Sequence, residues 1–158
     1  MQKHLSTIGF NLLKVWGAAW IGFLIDWIPI FIIRGNNVPR NTENILLGII
    51  GGVGTAITIF FLFKWEGRKR EFRVATPKVI LLYSAAPTLL WALIGSLFAP
   101  NPFLVLTTTA NFCSGMIGVE SVLDYAFFHP FPYALLFAVF YSAAIFGGYM
   151  YGRKHNDL

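Results

Sequence analysis

The chain has 158 residues, of which 56% are hydrophobic and 17% aromatic while only 12% are charged, against roughly 25% charged in ordinary globular domains. A soluble fold of this length has too little interior to hide that much apolar surface, so composition points to a membrane class. The net charge of +5 does not indicate a nucleic-acid partner, because the basic residues gather at segment ends, and the single cysteine, Cys113, excludes an internal disulfide.

Four apolar segments reach spanning length, over 15–33, 45–63, 79–98 and 133–151. About 20 helical residues cover a hydrocarbon core of roughly 30 Å, and continuous apolar runs of this length are helices rather than barrel strands. The expected fold is therefore all-α: an integral membrane protein with four transmembrane helices in one bundle. Lys3 and Lys14 precede the first run, which is longer than a secretory h-region and reads as a retained signal anchor.

Gly35-Asn36-Asn37-Val38-Pro39 ends the first segment and Asn41-Thr42-Glu43 offers a cap for the second. Between the second and third lies the basic run 64–73, closed by Lys78 and followed by the third segment from Pro77. Six of the twelve Lys and Arg residues fall there. The positive-inside rule then puts this loop and both termini on the cytoplasmic side, of a bacterial cytoplasmic membrane. Arg68, Lys69, Arg70 and Arg73 are the candidates for contact with anionic lipid headgroups.

Before the fourth segment, residues 103–128 are too polar to span and too apolar for a solvated loop. As a helix they carry Phe112, Met116, Val119, Leu123 and Phe127 on one stripe, an amphipathic outer-interface or re-entrant element. Glu120 and Asp124, one turn apart with Asn111 nearby, are candidates for a cation or cationic ligand on the outer face.

Asp26 stands near the middle of the first segment, where an ionised carboxylate costs about 2.5 to 3.5 kcal/mol. It is expected to point into the bundle and meet Thr55, Thr58, Ser84, Thr88 or Tyr141 from the other helices, as a relay or as polar glue. Gly22, Gly48, Gly52 and Gly148 have the small-residue spacing of close helix packing. Pro29 and Pro87 each remove a backbone donor and leave a carbonyl unpaired one turn earlier, near Ile25 and Tyr83.

Nothing in the chain supplies a nucleophile with an oriented base or a metal-ligand pattern, so no catalytic residue, metal or cofactor is expected. The function expected is a non-enzymatic transport or permeation component, working as a homo-oligomer or within a larger membrane complex. The alternative is an accessory or immunity-type protein that binds a partner without moving solute; an intramembrane lipid-modifying enzyme stands third.

Overall fold

The computed structural model describes residues 2–34, 40–97 and 130–155; within them, side chains are described for 4–18, 21, 24, 52–93, 135 and 138–155. Five helices carry these residues: α1 (Gln2–Arg34), α2 (Arg40–Gly67), the single turn α3 (Arg70–Arg73), α4 (Pro77–Leu97) and α5 (Pro130–Lys154). Pro77 opens α4 at the first helical position, where its missing N–H costs nothing, and the Thr76 carbonyl accepts from the Val79 and Ile80 amides.

The four long helices form a ring in which α1 touches α2, α2 touches α5, α5 touches α4 and α4 touches α1. Register contacts set the directions. The Tyr141 hydroxyl reaches the Gly52 carbonyl, while Gly148 lies against Phe60 and Gly152 against Lys64. Both sequences therefore advance together, and α2 and α5 run parallel. Since α1 and α4 also run parallel, no two-fold rotation exchanges the hairpin α1–α2 with the hairpin α4–α5.

Among the described residues the α2–α5 seam is the tightest contact. A Cβ added at Gly148 would fall 2.6 Å from the Phe60 carbonyl oxygen and 3.0 Å from the Lys64 nitrogen, and one at Gly152 would overlap the Lys64 carbonyl. Gly67, at the end of α2, stands in the same relation to the Tyr149 backbone. Missing side chains let backbone meet backbone, and Ile59, Phe63, Ile145 and Tyr149 are buried around that contact.

Two parts of the expected architecture are corrected. Among the described residues, no helix is long and apolar enough to cross a membrane. Polar positions recur along every long helix: Asn11 and Lys14 on α1, Thr55, Thr58 and Lys64 on α2, Ser84 and Thr88 beside Pro87 on α4, Ser142 and Arg153 on α5. The transmembrane spans are withdrawn, and with them the integral-membrane placement, the cytoplasmic assignment of both termini and a role in transmembrane transport. The second correction concerns the basic run, expected as a plain loop, which folds over one end of the bundle through α3.

Several expected features have no counterpart to compare. The side chains of 25–33 and 45–51 lie outside those described, which takes in Asp26, Pro29 and Gly48, as does that of Gly22. Residues 103–128, with Asn111, Glu120 and Asp124, lie outside the described residues altogether.

The seam yields a test. Gly148→Ala and Gly152→Ala are expected to destabilise the fold by about 1 to 3 kcal/mol each, the usual cost of overpacking. Gly9→Ala and Gly17→Ala, where nothing lies within 4 Å of the added methyl, should be neutral or stabilise by up to about 1 kcal/mol through helix propensity. Urea denaturation of the four variants measures the contrast.

Candidate functional site

The polar chemistry of the described structure gathers at the end of the bundle where α1 and α4 begin and α2 and α5 finish. Its centre is Asn11, 1% exposed. Pro87 has no N–H to donate to the Tyr83 carbonyl one turn earlier, and the Asn11 amide takes that role, with Nδ2 donating to the Tyr83 oxygen at 3.0 Å. The same amide meets the Tyr149 hydroxyl: Nδ2 lies 2.9 Å from it and the hydroxyl lies 3.2 Å from Oδ1. One side chain thus joins α1, α4 and α5.

Tyr149 is held neutral. Burial pushes its hydroxyl well above the ordinary tyrosine range, against the opposing effect of the Asn11 hydrogen bond, and the nearby carboxylates of Glu66 and Glu71 add to the rise. Its ring packs 5.1 Å from Phe63 and 4.8 Å from Phe72, centroid to centroid. Phe72 comes from α3 and also meets Tyr83 edge-on at 6.0 Å. A buried phenylalanine is what pulls the basic run onto the bundle, and Arg153 secures it by donating from Nη1 to the Ala75 carbonyl at 2.9 Å.

Around this aromatic plug lies an ion cluster. Glu66 accepts from Lys14 at 2.9 Å and from Lys69 at 2.8 Å, joining α1, α2 and the segment leading into α3. Burial raises the Glu66 pKa, but the hydrogen bonds and charges of Lys69 and Lys14 outweigh it and hold the carboxyl below its usual range. Beside the cluster, His4 Nδ1 lies 2.5 Å from the Tyr83 hydroxyl, and both border a cavity of about 340 Å³ whose walls include Thr7, Glu71, Phe72 and Thr76.

The interior residues singled out from sequence serve the helices themselves. Thr58 donates to the Gly54 carbonyl at 2.9 Å and Ser84 to that of Ile80 at 2.8 Å. Thr88 lies 3.0 Å from the Ala85 carbonyl and 2.6 Å from the Ser142 hydroxyl, which couples α4 to α5. Tyr141 donates to the Gly52 carbonyl at 3.2 Å. Thr55 is fully buried, and its hydroxyl has no partner among the described residues.

Of the basic candidates, Lys69, Arg70 and Arg73 are exposed and Arg68 is half-buried against the Trp65 ring, 5.8 Å away. Sequence reasoning singles out the basic residues of this end and does not reach Asn11, Tyr149 or Glu66 as site residues. Pro87 was the available signal: a carbonyl stripped of its donor calls for a polar side chain nearby, and Asn11 interrupts an apolar stretch of α1. No group of three or more His, Cys, Asp or Glu is placed to hold a metal ion among the described residues.

No family model matches the chain, and the searches of curated proteins and of solved structures returned no match.

Two outcomes follow from this geometry. Asn11→Leu should cost on the order of 2 to 4 kcal/mol, because it orphans the Tyr83 carbonyl and the Tyr149 hydroxyl. In a Pro87→Ala background the restored N–H serves the Tyr83 carbonyl, so the same substitution should cost measurably less; a double-mutant cycle by urea denaturation reads the difference. The lowered Glu66 pKa means that its contribution to stability is present above the unfolded carboxylate range and is lost as pH falls through the folded value. Glu66→Gln should therefore be destabilised relative to the parent at neutral pH, with the gap closing on acidification, followed by thermal melts across pH.

Proposed function

We propose that the chain is a non-enzymatic assembly component, an accessory protein that packs its outer helix faces against a protein partner, in the simplest case a second copy of itself. The supporting observation is the amount of apolar surface left on the outside of all four long helices. Leu5, Phe10 and Leu13 on α1, Ile57 and Phe61 on α2, Leu81 and Leu93 on α4 and Val139 on α5 are all exposed, Phe10 and Val139 by 62% and 65%. Single apolar residues at a surface are ordinary, whereas apolar faces on every helix mark an interaction surface.

The interior supports binding over permeation. Its hydroxyls at Thr58, Ser84, Thr88 and Tyr141 are engaged with carbonyls or with one another, and groups already satisfied within the bundle serve packing rather than a passing solute.

Light scattering coupled to gel filtration of the purified chain tests the proposal. Self-association is expected, and Leu13→Gln with Phe61→Gln should weaken it by about tenfold or more per side chain, the scale of burying a large apolar group, with the helical circular dichroism unchanged. A monodisperse monomer in plain aqueous buffer would overturn a second copy as the occupant of those faces.

A further inference from the structure

We infer that the capped end of the bundle is a docking surface for anionic phospholipid. Among the described side chains nine cations belong to this end: Lys14, Lys64 and Arg68 through Arg70, then Arg73, Lys78, Arg153 and Lys154. Among the described residues two carboxylates, Glu66 and Glu71, stand among them, and Glu66 is taken up by Lys14 and Lys69. The excess is outward: Arg70, Arg73, Lys78 and Lys154 are all exposed.

Charge alone would suit any polyanion; the apolar groups set among the cations narrow it. Trp65 is 71% exposed and Val74 78% exposed, on either side of α3. An open groove of about 540 Å³ runs between the side chains of Lys69, Arg70, Glu71 and Val74. Tryptophan beside lysine and arginine is the composition of a lipid interface, where the ring settles at headgroup depth and the cations meet phosphate. A nucleic-acid backbone would use the cations and leave Val74 and the apolar part of Trp65 in water. The cap is also held in shape, by Phe72 inside the aromatic cluster and by Arg153 on the Ala75 carbonyl. Binding therefore carries little ordering cost. The contact is end-on, at the surface of the lipid.

Flotation of the purified chain with vesicles decides it. Vesicles of phosphatidylcholine mixed with phosphatidylglycerol are expected to carry the protein upward, and those of phosphatidylcholine alone to carry much less. Added salt should reverse the difference, because exposed charges are screened. Each cation near an anionic surface is worth roughly fivefold in affinity, so Lys69→Gln, Arg70→Gln and Arg73→Gln together should lower it by roughly a hundredfold. The exposed pair Lys78→Gln and Lys154→Gln, which lie outside α3, should lower it in the same direction if the triple variant does not fold. Trp65→Phe should remove the vesicle-induced blue shift of tryptophan fluorescence. Equal flotation with both vesicle types, or displacement of the chain from phosphatidylglycerol vesicles by duplex DNA at equal phosphate with no change at Trp65, would overturn the inference.

Discussion

The described structure depends on a backbone carbonyl that its own helix cannot satisfy. Pro87 deprives the Tyr83 oxygen of its α4 partner, and in a buried setting that vacancy would cost about as much as a lost hydrogen bond. Asn11 fills it across the helix–helix boundary. Because the same amide also engages Tyr149, the register of α1 against α4 and of α1 against α5 is set by one side chain. The aromatic cluster of Phe63, Phe72, Tyr83 and Tyr149 then assembles around these buried hydrogen bonds.

On the opposite side of the ring, α2 and α5 are joined by absence of side chains. Gly148 and Gly152 let α5 approach the carbonyls of Phe60 and Lys64, a proximity that only glycine permits. The two devices are complementary: one specifies position through directional bonds, the other draws two helices close enough for dispersion contacts along their length. Together they bring the ends of α2 and α5 beside the start of α4, and the short basic segment between α2 and α4 lies across that end. It turns back with Phe72 inward and its cations outward, which is why charge and exposed tryptophan concentrate at that end.

Much of this was legible before any coordinates. Helical content follows from apolar runs bounded by Gly, Asn and Pro, and the element bounds agree well where Pro77 opens α4. The small-residue spacing around Gly148 announced a close contact, and Pro87 announced an unpaired carbonyl at Tyr83. What stayed hidden were the partners. Asn11 and Tyr83 are far apart in the chain, as are Lys14 and Glu66, and nothing local in either member identifies the other. The fold of the basic run is hidden for a related reason: a single phenylalanine among ten residues rich in Lys and Arg does not disclose the aromatic socket that receives it.

The sequence by itself determined that the chain is helical, that its cations cluster between the second and third apolar segments, and that one helix must find a donor outside itself. Those properties are local, set by side-chain chemistry and by the backbone restrictions of proline and glycine. Only the tertiary structure decided which donor that is, which helices run parallel and that the cationic segment is a cap. It also decided against the membrane spans: among the described residues no helix is long and apolar enough to cross a membrane. A polar residue on an apolar helix acquires its meaning from the group standing opposite, and that group is chosen by packing.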